Sequence, residues 1–377
     1  MSYDINISGT ATKTHLADPG DTVSSSSNSA TISGSLETKN NDEDSYEYSG
    51  RMEDISFTSG IGEELAIRKD GSPVAPEEIA ETTWFSPEVP TSNTLYGISK
   101  SNRGPIAVGG GGKVLLRDRG TWTTIVSSGP SGGGNTQNVA ASTTDLQNVW
   151  FGGSSGTLGV YNTADESLTD HTAPSNITNS WTAMEVMGDS ASDLVILGSG
   201  SGQILIGSRK SGTMEWQDPS VPATGSAITG INFATGRVGF FCDTNGDVYR
   251  TTDAAASWSE LESLSVGGTP NDITALSSQG VVVACGGGYM SKFDGYKWSN
   301  RRFGGSTHNA VLSNDHRTVI AGSGGAVRSK ELGGWDIIHD AGATIHDGVL
   351  YSGQTEIGIM VGSSGGIYQQ SLNNDLY

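Results

Sequence analysis

His308 and His346 each stand two residues before a small residue, Ala310 and Gly348, in neighbouring repeat units, and Asp347 follows the second histidine. Two imidazoles and a carboxylate gathered at one mouth of a channel would have the donors for a metal ion or for acid–base work. Polar side chains lining a solvated channel explain the same residues more simply. A second cluster, Asn300-Arg301-Arg302-Phe303-Gly304, sets two adjacent cations beside an aromatic ring in a chain that otherwise avoids positive charge. Guanidinium forks and ring faces suit sugars, carboxylates and sulfated groups, although ion pairs with nearby acids account for the arginines equally well. A third, Asp243-Thr244-Asn245-Gly246-Asp247, opens like a calcium loop but lacks the distal glutamate at EF-hand spacing, and an Asn-Gly hairpin explains it without an ion. The candidate ligand-binding residues are therefore Arg301, Arg302, Phe303, His308 and His346. No catalytic residue, metal or cofactor is expected.

These residues belong to a unit that recurs every 35 to 48 residues or so, the range of propeller blades. The unit opens on a small residue followed by an apolar one: Gly97-Ile98, Ala140-Ala141, Ala183-Met184, Gly230-Ile231, Ala275-Leu276, Ala310-Val311 and Gly348-Val349. These positions are expected on inner strands, small where they crowd a central channel. An apolar run such as Val149-Trp150-Phe151 or Val281-Val282-Val283 comes next, and then a glycine turn at Gly112, Gly156, Gly202, Gly246, Gly288, Gly325 or Gly366. A third strand leads to an outer strand marked by Trp122, Trp216, Trp258, Trp298 or Trp335, with Leu168 as the departure. The last unit runs out near Gln370 before an outer strand of its own, and Thr83-Trp84-Phe85-Ser86 supplies the missing piece. The expectation is an all-β chain: a seven-bladed β-propeller over 82–377 with 1+3 N/C-terminal strand closure, which removes open sheet edges. Cys242 and Cys285, at equivalent strand positions in successive repeats, are expected to be buried free thiols.

Thr251-Thr252-Asp253-Ala254-Ala255-Ala256-Ser257-Trp258 resembles the Asp-box of sialidase-like and photosystem-assembly-factor-like propellers, Ser/Thr-x-Asp-x-Gly-x-Ser/Thr-Trp, with Ala255 in place of glycine. The resemblance covers about residues 83 to 370 at the level of blade grammar, and it implies a structural turn between third and fourth strands, not an active site. A sialidase also needs an arginine cluster, a Tyr/Glu nucleophile pair and an acid on particular inner strands. Arg117, Arg250 and Arg328 fall on third strands, so an enzyme is not expected.

Residues 1–81 have another rhythm. Alternation at Tyr3, Ile5 and Ile7, then Ala30 to Leu36 and Tyr46 to Gly50, indicates short strands in a small β-sandwich-like module. Thr22 to Asn28 reads as a serine-rich mobile loop, Asn40 to Asp44 as a charged loop, and Pro73 and Pro76 with the following acids as a domain boundary. The stretch from Tyr48 to Phe57, continued from Leu65 to Ile79, resembles an acidic β-module of exported and viral proteins of halophilic archaea. Formal net charge is -20, with 41 acids against 21 bases. That balance repels nucleic acid and anionic membranes and fits concentrated salt, where screening is short-ranged. Met1 to Asn6 lacks the basic start and apolar core of a signal peptide, and no segment approaches the apolar length of a membrane span.

Together these features suggest a virion structural protein of a halophilic archaeal virus, a head turret, spike or tail fibre whose propeller binds the host cell surface. Its partners would be itself as a homo-oligomer, other virion proteins through residues 1–81, and a host surface glycan or S-layer protein, with no nucleic acid and no membrane insertion. The alternatives are a non-viral assembly or cell-surface scaffold in the cytoplasm or at the surface of a halophilic archaeon, and a glycoside-binding or glycoside-cleaving enzyme.

Overall fold

The computed structural model describes residues 2–14, 17–26, 29–35, 46–57, 67–69, 72–74, 83–217, 225–261, 263–264, 266–314, 317–331, 334–351 and 356–371. The chain forms two compact units, one chiefly residues 1–84 and the other chiefly 85–369. The second is a seven-bladed β-propeller, each blade a four-stranded antiparallel sheet. Six blades run inner strand to outer strand in chain order, over 95–126, 137–170, 181–216, 228–260, 270–302 and 308–340. The seventh takes three strands from 345–371 and its outermost from Thr83–Phe85, so the ring closes as the repeat count requires.

Each second strand is buried on both faces because it lies between neighbouring blades. Val149, Trp150 and Phe151 are wholly enclosed, as are Val281 and Val283. A continuous apolar run is the mark of such a strand, whereas the outer strand Ser167–Asp170 is exposed along its length. Between the second and third strands the chain reverses through left-handed residues, Gly112 and Gly288 among them. In blade 7 that residue is Gly365, while the expected Gly366 lies at φ -59.

The Asp-box turn forms as the resemblance implies. Asp253 accepts hydrogen bonds from Ser257 N–H at 2.9 Å and Ser257 Oγ at 2.5 Å, and Thr251 Oγ1 accepts one from Ala255 N–H at 3.1 Å. Ala255, which stands where the Asp-box has glycine, adopts a left-handed backbone with φ 70.

In the N-terminal unit, Thr22–Ser25, Ala30–Ser35, Ser2–Lys13 and Tyr46–Phe57 form one antiparallel sheet in that order. Ala11, Ala30 and Ile32 are its buried core. The segment read as a mobile loop is therefore partly an edge strand, because Val23 pairs with Ile32 and packs on that core. Ile67–Lys69 and Ser72–Val74 make a separate hairpin that includes Pro73. Leu36, the loop from Asn40 to Asp44, Leu65, and Pro76 with the acids after it lie outside the described residues.

Candidate functional site

The inner strands share an irregularity that period-two reading misses. Each carries one extra residue at its second position, where the register slips: Tyr96, Asn138, Thr182, Thr229, Asn271, Asn309 and His346. A bulge of this kind turns its side chain out of the ladder, here toward one mouth of the channel. Four of the seven use it to bind the next blade. Asn138 donates to Trp181 O at 3.1 Å, Thr182 to Ile228 O at 2.6 Å, Asn271 to His308 O at 2.8 Å and Asn309 to Ile345 O at 2.7 Å.

The bulge separates the two histidines. His308 pairs with Gly322 and so matches Ile345, not His346. One residue of offset moves a side chain to the other face. His308 is buried at 4% exposure inside blade 6, whereas His346 is a bulge residue in the channel, its ring 4.9 Å from that of Tyr96. They therefore form no symmetric pair. Burial lowers the pKa of both, and at His308 a Gly288 backbone hydrogen bond opposes that shift while Arg328 adds to it.

The pairing register corrects three expected inner positions. The residues matching Gly97 and Gly230 are Val139, Asp272 and Asp347, not Ala140, Ala275 and Gly348. It also corrects the cysteines: Cys242 pairs with Gly230 but Cys285 with Pro270, so the two face one shared core layer. Both are free and buried, and burial pushes the Cys285 thiol up to about 12 and that of Cys242 further.

The channel is a cavity of about 530 Å³, lined in part by Lys100, Glu185, Asn232, Asp272, His346 and Asp347. Of its carboxyls the sequence pointed to Asp347 alone, beside His346, and missed Asp272 and Glu185. A Cβ on Gly230 would already meet Ile273 N at 2.8 Å. At the matching site Asp272 reaches into blade 6 and accepts from Val311 N–H at 2.8 Å and its neighbour Ile273 N–H at 2.8 Å. Asp347 does the same across the junction of blades 7 and 1, accepting from Ile98 N–H at 2.9 Å and Gly348 N–H at 2.7 Å. Glu185 accepts from Asn232 Nδ2 at 3.2 Å, and Asn232 Oδ1 accepts from Ala275 N–H at 2.9 Å, linking blades 3, 4 and 5. Protein packs around most of each group, and desolvation disfavours their charged forms. Burial, with Asp347 nearby, pushes Asp272 up to about 8 against the pull of its two N–H donors. Burial likewise pushes Glu185 up to about 8 and Asp347 to about 7.

The calcium-like segment is a turn of its own. Asp243 Oδ1 accepts from Asn245 N–H at 2.9 Å and Asp247 N–H at 3.1 Å, while Gly246 adopts φ 96.

Arg301 and Arg302 are split by the pleat of their outer strand. Arg302 lies over the Tyr289 ring and donates from Nε to Gly287 O at 3.0 Å. Arg301 faces the other way, toward blade 6, with its guanidinium 4.9 Å from the centre of Phe303. Arg328 comes to the same ring at 5.5 Å, and Trp335 and His308 contact it edge-on. Among the candidates, the fold thus gathers Arg301, Phe303 and His308 and leaves Arg302 and His346 apart.

Register explains what surrounds Arg301. Lys292 pairs with Ser299, and Met290 with Arg301, on one face of blade 5. Thr318, Lys330 and Trp335 form a cross-strand row on blade 6. The two faces border a groove of about 230 Å³ floored by Val282 and Met290. Because second strands start opposite the glycine turns, the groove lies toward that other face. Among the described residues, Lys292, Arg301 and Lys330 form no ion pair. Residues 292–330 hold seven of the 21 bases but only two acids, Asp294 and Asp315.

No family model matches the chain. No curated protein matches it either. Solved structures do match in fold. The WD40 β-propeller domain of Doa1 superposes with TM-score 0.59 at 12% identity, covering 78% of this chain and 99% of that one. Virginiamycin B lyase from Staphylococcus aureus gives 0.64 at 14%, covering 78% and 100%. YCF48 from Cyanidioschyzon merolae gives 0.61 at 14%, covering 76% and 98%. An assembly of such different proteins at so low an identity establishes the propeller fold and leaves function to the residues of this chain.

Proposed function

We propose that this chain is a non-enzymatic recognition protein whose binding surface is the basic wall of blades 5 and 6. The carrying observation is that Lys292, Arg301 and Lys330 border one groove without an acidic partner among the described residues, in a chain of net charge -20. Leaving cations unpaired in such a chain forgoes easy local neutralisation, and this favours an anionic ligand. The channel acids are a poor basis for catalysis, since Asp272 and Asp347 already accept backbone N–H groups.

The setting we propose is a virion: a head turret, spike or tail-fibre component of a halophilic archaeal virus, with the propeller contacting the host surface. Its support is the acidic composition and the resemblance of the N-terminal segment. Residues 1–81 would hold a homo-oligomer to other virion proteins, because one wall contact is weak and display in several copies multiplies it. Light scattering on the full chain at molar salt should find an oligomer, and a monomer would count against this setting. Adsorption to intact haloarchaeal cells should fall roughly tenfold or more in an Arg301→Gln, Lys330→Gln double variant. Undiminished adsorption would remove the wall from the proposal.

A further inference from the structure

We infer that the groove between blades 5 and 6 is a subsite for one anionic sugar residue of an acidic polysaccharide. Its ring lies against the Trp335 indole, and its carboxylate or sulfate meets Lys292, Arg301 and Lys330. The inference rests on the reading of this wall as a recognition surface and adds what is recognised.

Three features favour a saccharide over an acidic peptide. First, the charged side chains of the groove stand on the faces of two sheets, although Trp298–Arg302 is itself the outer strand of blade 5. Lys292 lies between Val282 and Ser299 on one face, and Lys330 between Thr318 and Trp335 on the other. An extended peptide gains much of its affinity from backbone pairing at a sheet edge, which these side-chain rows do not supply. Second, the hydroxyls of Ser299 and Thr318 sit one position across from the two lysines. A donor or acceptor beside each charge matches a sugar ring, whose hydroxyls flank its anionic group.

Third, Trp335 borders the cavity while its ring meets Phe303 edge-on at 5.2 Å, so the indole is held by packing before a ligand arrives. A fixed aromatic face offers broad apolar contact to the C–H face of a sugar at little entropic cost. The cavity of about 230 Å³ is smaller than a drug-sized pocket and suits a single ring unit. Two of the three cations are lysines, point charges that accept a carboxylate or a sulfate without the planar match a guanidinium prefers.

The test uses the full-length protein in affinity electrophoresis through gels containing polygalacturonate, dextran sulfate, neutral dextran or poly-L-glutamate. Retardation is expected with one or both acidic polysaccharides and not with neutral dextran; which of the two acts identifies the anionic group. Lys292→Gln and Lys330→Gln should each weaken it about tenfold. Trp335→Leu should weaken saccharide binding by a similar factor while leaving any poly-L-glutamate effect alone. Because Trp335 also packs on the core, Ser299→Ala and Thr318→Val provide a second pair, expected to lose several-fold for saccharide only. Equal retardation by poly-L-glutamate, lost with the lysines but indifferent to Trp335, Ser299 and Thr318, would overturn the sugar assignment and keep the wall as a recognition surface. Absence of retardation by every polyanion, or retardation that ignores Lys292 and Lys330, would overturn both.

Discussion

The channel and the wall of blades 5 and 6 treat charge in opposite ways. In the channel, Asp272, Asp347 and Glu185 are enclosed, and each accepts hydrogen bonds that bind one blade to its neighbour. On the wall, Arg301 and Lys330 are exposed, and the cations that border the groove have no acidic partner among the described residues. Enclosed and satisfied groups hold the ring together. Exposed and unsatisfied ones remain available to something outside it.

Asp145 shows how far satisfaction can go. Burial alone would raise its pKa, but the hydroxyls of Ser190 and Thr143 and the N–H groups of Ser190 and Gln147 bring it down to about 2. The Ser190 donors among them join blades 2 and 3, with Ser190 N–H 3.0 Å and Ser190 Oγ 2.6 Å from the carboxylate. Asp272 and Asp347 have fewer donors, so burial prevails there.

If this contrast is right, the largest stability effect comes from the channel. Asp347→Ala strips the partner from Ile98 N–H at the junction of the first and last blades and should cost roughly 2 kcal/mol in chemical denaturation. A cost indistinguishable from that of Arg301→Gln would break the comparison.

The next effect is a pH slope. Glu185 and Asp272 are both raised above the ordinary carboxylate range in the folded protein, to about 8. Their contribution to stability is full below the ordinary value and is lost as pH rises through about 8, because only the unfolded chain ionises freely in that window. Asp145 has the opposite sign: its contribution is full above the ordinary value and is lost as pH falls through about 2. Unfolding midpoints across the upper window should therefore decline in the native sequence and decline less in Glu185→Gln. Parallel pH curves for the two proteins would show that the carboxyl ionises freely in the fold.

The smallest effect divides adjacent residues. Arg302→Gln removes the bond to Gly287 O and the stacking on Tyr289 and should cost about 1 kcal/mol. Arg301→Gln should change stability by less than about 0.5 kcal/mol and instead reduce binding of an acidic polymer. Reversed roles would place the recognition face on the other side of the blade.

These distinctions mark how far the sequence could be read. The tryptophan spacing and the glycine turns expose the blades, and Trp84 ahead of the first repeat marks the strand that completes blade 7, because each signal is local. Asp272 and Asp347 were hidden as inner positions because they stand where other blades carry Gly or Ala, while a nearby small–apolar pair, Ala275-Leu276 or Gly348-Val349, imitates the blade start. The groove was hidden for another reason. Lys292, Lys330 and Trp335 come from three strands of two blades, and only pairing across Asp294-Gly295 and the facing of blade on blade bring them together. Alternation along Trp298–Arg302 was the available clue, since it already sends Arg301 and Arg302 to opposite faces.

Hydrogen exchange of the full-length protein with and without polygalacturonate addresses the wall most directly. Slowed exchange should concentrate in the outer strand Trp298–Arg302 and around Trp335, leaving the bulge residues of the channel mouth unchanged. Protection confined to the glycine-turn rim or to the channel mouth would contradict it.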